Sequence, residues 1–314
     1  MNPRFRFFTA SLKCSFSLLI LLSFFYQSSA SSDTTLIKSH LIKITRADDF
    51  RSYNKISSLN KTADYIQSVF NLYSDSVSVQ SYSVSGNEYK NIICSFGTEN
   101  QKRIIVGAHY DVCGNQEGAD DNASGVVGLL ELARLLKGQK LQYRIDLVAF
   151  SLEEPPFFQT KSMGSFIHAK SLADHKVDVY GMISLEMIGY FSDVKKSQSY
   201  PIPFASLFYG TKGNYIMLVK KTGAGKFARR FCRAFKSSGI IRTKKFSGPR
   251  SIPGIDFSDQ LNYWEFKYSA LMITDTAFYR NKNYHQSTDK LETLDLNRMA
   301  KVIDGVLASL LKLK

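Results

Sequence analysis

RIIVGAHYDVCGNQEGADDNASGVVGLLELARLL, residues 103–136, joins three kinds of sequence in one run. Arg103 to Ala108 contains the consecutive apolar residues Ile104, Ile105 and Val106, and its short length suits a buried strand. Gly125 to Leu136 carries apolar residues at Val126, Leu129, Leu130, Ala133 and Leu136, the spacing of one helix face. Between them runs a loop, Ala108 to Gly125, with one histidine, four carboxylates and three glycines. Strand, acidic loop and helix in that order predict an α/β unit with polar chemistry at the strand's carboxyl end.

The same alternation extends in both directions. Thr34 to Ile44 and Asn60 to Tyr73 read as helices, and Val77 to Val84 and Tyr89 to Phe96 as strands. Tyr143 to Ser151, Met182 to Leu185 and Ala270 to Thr274 read as further buried strands, and Leu296 to Leu313 as a closing amphipathic helix. Buried apolar strands alternating with helices predict an α/β fold, a mostly parallel sheet covered on both faces. No Pro-, Gly- or Ser-rich tract divides the chain into domains. Lys195 to Phe208 is expected to be a long loop, and Gly223 to Lys226 a helix start.

The first thirty residues stand apart. Arg4, Arg6 and Lys13 precede a short apolar core, Ser15 to Tyr26, and then the small residues Ser28, Ser29 and Ala30. That order is a secretory signal, which makes residues 31–314 the mature chain and its location secreted or periplasmic. The apolar core is shorter than the roughly 20 residues that a membrane span needs. No later segment is long and apolar enough, so no stable membrane insertion is expected. The three basic residues, with no acid beside them, account for the difference between a formal charge of +14 and +11 for the mature chain. The remaining Lys and Arg are scattered from Lys38 to Lys314 and do not alternate with aromatics, so no nucleic-acid partner is expected. Cys94, Cys113 and Cys232 allow at most one internal disulfide, and their spacing is not that of a thiolate zinc site.

Candidate polar groups fall where strands end. His109 and Asp111 follow the first central strand, Glu153 and Glu154 the second, Glu186 the third, and Tyr284 and His285 lie beyond the last. In open α/β sheets, ligands bind outside the carboxyl ends of strands. Two metal ions about 3.5–4 Å apart need a shared carboxylate and further ligands on each side. His109, Asp121, Glu154, Glu186 and His285 meet that requirement. Asp111 is placed to orient the His109 ring through its second nitrogen, and Glu153 is left free to act as a base. Each piece has a plainer reading: a hydrogen-bonded His–Asp pair, a solvated Glu–Glu pair, a helix cap at Asp120-Asp121-Asn122. Their shared position at strand ends favours the site. His40, His168 and His175 have no such position, and the last two are expected on a surface helix and its exit. Glu117 and Asp120 have no assigned role.

GAHYD, GADDNASG, LEEPPFF, SLEMIGYF and NYHQSTDKLETLD, in that order, closely resemble metallopeptidase family twenty-eight, the dizinc exopeptidases of the aminopeptidase S and aminopeptidase Y type. The resemblance covers about Ile37 to Leu311. It implies a single zinc-exopeptidase domain with a central mixed sheet flanked by helices, and two zinc ions per chain. It implies His109, Asp121 as bridge, Glu154, Glu186 and His285 as metal ligands, Glu153 as general base and Tyr284 as a donor to the oxyanion. Glu186 stands where many members have Asp. Gln260 stands where the closest-looking bacterial members have His. The implied reaction is hydrolysis of the first peptide bond of a peptide with a free amino terminus. A single-zinc glutaminyl cyclase and a receptor-like, non-catalytic domain are the alternatives of the same fold. Which substrate terminus is read (aminopeptidase, carboxypeptidase or dipeptidase), the substrate side chain and the oligomeric state are not legible in the sequence.

Overall fold

The computed structural model describes residues 31–314. The signal segment read at residues 1–30 lies outside the described residues. In chain order the elements are α1 (Thr34–Thr45), α2 (Ile56–Tyr73), β1 (Ser76–Val84), β2 (Asn87–Phe96), β3 (Arg103–His109), α3 (Gly125–Leu136), β4 (Arg144–Phe150), α4 (Gly164–Asp174), β5 (Val179–Glu186), α5 (Ala205–Tyr209), β6 (Ile216–Lys221), α6 (Gly225–Ser238), β7 (Thr243–Gly248), α7 (Gln260–Glu265), β8 (Ala270–Thr274) and α8 (Leu296–Lys312).

The strands form one mixed sheet in the order β1-β2-β4-β3-β5-β8-β6-β7. Its centre, β4-β3-β5-β8, is parallel. On one side β2 pairs antiparallel with β4, and on the other β6 pairs antiparallel with β8. The β1–β2 hairpin turns at Ser85-Gly86, both with positive φ, the backbone that matches strand twist in a two-residue hairpin.

Alternation along the central strands separates two cores. Ile104 and Val106 of β3, Leu147 of β4, Ile183 and Leu185 of β5 and Leu271 and Ile273 of β8 face one way, where α1, α2, α3, α6 and α8 pack. Ile105, Val148, Phe150, Met182 and Met272 face the other, toward α4 and α7. This is the period-two rule applied to strands buried on both faces.

Three expectations change. His168 is not on an exposed helix face: it is buried, with Nδ1 2.6 Å from the Tyr263 hydroxyl, and burial lowers its pKa to about 4. The segment expected as a loop to Phe208 enters the short helix α5 at Ala205. The strands β6 and β7 extend the sheet. β6 is a brief apolar run that periodicity alone cannot assign, and β7 (TKKFSG) is a polar edge strand. Cys94, Cys113 and Cys232 are all free thiols.

Candidate metal centre

Strand register aligns the ends of β3, β4 and β5. Gly107 pairs with Ser184, so two residues further His109 and Glu186 lie level at the rim. His109 pairs with Phe150, and the chain then leaves β4 into Glu153 and Glu154. The acidic loop closes over this rim in an irregular π-type turn, Ala119–Ser124, in which Asp121 and Asn122 depart from helical geometry. Gly118 has φ 55, and a Cβ there would sit 2.3 Å from the Asp121 carbonyl oxygen. At Gly125 it would sit 2.4 Å from Asn122 Oδ1 and 2.6 Å from the Leu185 carbonyl oxygen. The turn is therefore packed too tightly for side chains at either position.

The loop brings Asp121 between two histidines. Its Oδ1 lies 3.4 Å from His109 Nε2, which is also 3.4 Å from Glu186 Oε2. Its Oδ2 lies 3.2 Å from His285 Nε2, which is also 3.1 Å from Glu154 Oε2. One carboxylate thus serves two sets of donors, each with one imidazole and one Glu. Glu153 Oε2 stands 3.8 Å from His109 Nε2, on the first side. Asp121 Oδ2, Glu154 Oε1 and His285 Nε2 are buried without hydrogen-bond partners. Close approach without alignment means that these atoms point at a common space rather than at one another. A divalent cation bound by nitrogen and oxygen fits that arrangement, and leaving such atoms bare is costly.

Electrostatics agree with the geometry. Burial would disfavour charge on His109, but Glu186 and Glu153, with Asp111 and Asp121, raise its pKa well above the ordinary value. Burial likewise opposes charge on His285, yet Asp121 and Glu154 carry it to about 10. Burial alone would raise the Asp121 carboxyl; the two histidines override it and hold it low. Burial, then Asp121, raises Glu154 to about 7. Glu153 is pushed well above the carboxylate range by burial, opposed by His109 and reinforced by Glu186, Glu154 and Asp259. Tyr284 is raised by burial and by the surrounding carboxylates, which keeps its hydroxyl protonated, and its ring stacks on His285 with centroids 3.8 Å apart.

Neighbouring groups fix the donors. The Asp111 carboxylate lies 3.6 Å from His109 Nδ1, longer than a hydrogen bond, while that nitrogen is 3.3 Å from the Asp111 carbonyl oxygen. The carboxylate instead accepts the backbone N–H groups of Glu153 at 3.1 Å and Glu154 at 3.0 Å. Asp111 therefore positions both glutamates as well as approaching the ring. The Ser258 hydroxyl donates to Glu186 Oε2 at 2.7 Å. Asp120, without a role in the sequence reading, accepts from Gly189 N–H and Asn281 Nδ2 and ties the loop to its neighbours. Gln260 donates to the Ile255 carbonyl rather than to any donor of the site.

Three contributors escaped the sequence reading. Arg51 is buried and donates to the carbonyls of Glu117 and Gly118. Asp289 accepts the N–H groups of Asp120, at 3.0 and 3.2 Å, and of Asp121, at 3.0 Å, and joins the His285 loop to the acidic turn. Asp259 is fully buried with both carboxylate oxygens unpartnered, and burial raises it to about 7. Asp289 has a weak signal, four residues beyond His285 in the same motif; Arg51 has none.

These shifts carry a sign. Glu154 and Asp259 titrate near 7 in the fold but at ordinary carboxylate values when unfolded, and the two histidines also hold protons longer in the fold. The folded chain therefore binds more protons than the unfolded chain above about pH 5, and rising pH destabilises it. The metal-free protein is expected to lose thermal stability from about pH 5 up to about pH 10, where His285 gives up its proton. A divalent cation should reverse the trend, as melting curves with and without chelator would register.

A model described as Peptidase family M28 matches residues 91–310. A protein of Escherichia coli (strain K12) called uncharacterized protein YfbL is 45% identical over 268 residues, 83% of this chain and 82% of its own length. A probable leucine aminopeptidase 2 of Trichophyton verrucosum is 26% identical over 147 residues, 46% of this chain and 26% of that protein. Among solved structures, a leucine aminopeptidase precursor from Bacteroides thetaiotaomicron superposes with a TM-score of 0.69 at 19% identity, covering 91% of this chain and 99% of that one. A glutaminyl cyclase of the same organism superposes with a TM-score of 0.68 at 18% identity, covering 91% and 100%. At such identities the two structures show the shared fold alone.

Proposed function

The chain belongs to peptidase family M28, and from that premise we propose that it is a zinc-dependent aminopeptidase acting outside the cytoplasm after removal of residues 1–30. The observation that carries this reading is the pair of donor sets sharing Asp121, one with His109 and Glu186 and one with His285 and Glu154. A single-zinc cyclase needs one set. A non-catalytic relative has no need of either, nor of a buried, proton-hungry Glu153 beside them.

Two zinc ions, if bound by His109, Glu186, Asp121, Glu154 and His285, would supply Lewis acidity and bring the pKa of bound water toward neutrality. The residues of the chain do the rest. Glu153, buried and raised in pKa, removes a proton from the attacking water and returns it to the leaving amine. Tyr284, held as a protonated phenol, donates to the oxygen that becomes negative as the carbonyl is attacked. An apolar recess opens beside Glu186, lined in part by Met217, Val219, Met272, Phe246, Phe257 and Phe278. A side chain of Leu, Met or Phe at the substrate's first position fits that lining better than a charged one, whose burial without a partner is costly.

Zinc stoichiometry tests the reading. Metal analysis under saturating zinc is expected to give about two ions per chain, the complement of a bridged two-ion site. Chelation should abolish hydrolysis and added zinc should restore it. A plateau at a single ion, with cyclisation of an amino-terminal glutamine and no peptide hydrolysis, would move the assignment to the cyclase.

A further inference from the structure

The two donor sets are not equivalent, and the difference lies in Cys113. Its Sγ, a carboxylate oxygen of Glu154 and a ring nitrogen of His285 all lie within 4.8 Å of one another. Cys113 is a free thiol at the edge of the site, half-buried. Two carboxylate oxygens beside His285 are deeply buried and unsatisfied: Glu154 Oε1, in this group, and Asp121 Oδ2, 3.2 Å from His285 Nε2, have no hydrogen-bond partner, in residues 3% and 2% exposed. On the opposite side, His109 Nε2 lies 3.4 Å from the other oxygen of Asp121 and 3.4 Å from Glu186, and Glu153, with no partner in this set, stands 3.8 Å from it.

We propose that Cys113 is a fourth protein ligand on the His285 side, joining His285, Glu154 and Asp121. The inference rests on the zinc reading above. Zinc accepts sulfur, nitrogen and oxygen donors together; four protein ligands close a site and make it structural, whereas three leave a position open for water. The His285 side is therefore the closed, tightly held position. The His109 side, with three protein ligands and Glu153 adjacent, is the open position where the peptide bond is attacked. When the zinc–sulfur bond forms, the Cys113 S–H bond breaks and its proton passes to solvent.

X-ray absorption on the zinc-loaded wild-type protein decides the matter directly. Expected is a sulfur shell near about 2.3 Å, averaging about half a sulfur per zinc, beside nitrogen and oxygen at about 2.0–2.2 Å. Cys113→Ser should remove that shell. It should also weaken one of the two ions by at least about tenfold in competition titrations, the scale on which even outer partners of ligands act. Two bound ions with a shell of nitrogen and oxygen only, in the wild type, would overturn the thiolate ligand and leave the two-zinc reading standing. No bound zinc would overturn both. Should Cys113→Ser not fold, the wild-type spectrum still decides.

Discussion

Glu153→Gln is expected to keep both metal ions and lose turnover by about 10²–10⁴-fold, the usual scale of general acid–base catalysis. Glu154→Gln, one residue away, is expected to lose metal as well as turnover. The two carboxylates are adjacent in sequence and have their backbone N–H groups held by the same Asp111 carboxylate. Past the end of β4 their side chains nevertheless reach different sides: Glu154 Oε2 meets His285 and Glu153 Oε2 approaches His109. Gln preserves the shape of either residue and removes its capacity to hold a proton or a cation as a carboxylate. Metal content and rate measured together on both variants separate the roles. Loss of metal in Glu153→Gln with retention in Glu154→Gln would reverse them, and full metal and activity in both would place the chemistry elsewhere.

The second large effect concerns Asp121. Asp121→Asn should lower affinity for both ions and reduce hydrolysis to background, because each carboxylate oxygen faces its own histidine. His285→Ala should weaken chiefly one ion, since His109, Glu186 and Asp121 stay in place. Titrating both variants with zinc reads this as two weakened sites against one. Equal loss in the two variants would mean that Asp121 is not shared in the way its geometry indicates. The substitution also leaves a clear mark without metal. With the Asp121 carboxylate removed, His285 loses one of the two carboxylates, the other being Glu154, that raise its pKa toward about 10. Its imidazole should then titrate closer to neutrality, visible by NMR in the chelated protein.

Much of this was legible from the chain alone, for identifiable reasons. Ile104 to Val106, the Tyr143–Ser151 run and Ala270 to Thr274 are continuous apolar stretches, and strands buried on both faces read that way. The ordered motifs carried the candidate donors: His109, Glu154 and Glu186 stand at or within four residues of a strand end, and Asp121 and His285 lie in the longer loops that follow β3 and β8. Most of what escaped has no local signal. β7 is polar and lies at the sheet edge, so its sequence resembles a loop. Arg51 is distant in sequence from Glu117 and Gly118, and only the fold reveals that their carbonyls receive its guanidinium. His168, following Gly164-Ser165, was expected on a surface helix; the Tyr263 hydroxyl that satisfies it comes from α7, a helix that periodicity did not reveal. Asp111 was legible as a partner of His109, but its grip on Glu153 and Glu154 depends on the register of β3 with β4. Cys113 looked uninformative because thiolate zinc sites are sought as pairs of cysteines, whereas here one thiol lies near donors contributed from distant segments.

The central claim is that a bound metal pair and Glu153 act on the first peptide bond of a substrate with a free amino terminus. The most direct test is the zinc-dependent release of a reporter amine from a leucyl substrate, with the same substrate acetylated at its amino group run beside it. The account predicts rapid release from the free form, none after chelation, recovery on addition of zinc, and little from the acetylated form. Equal release from both forms, or release that survives chelation, would contradict it.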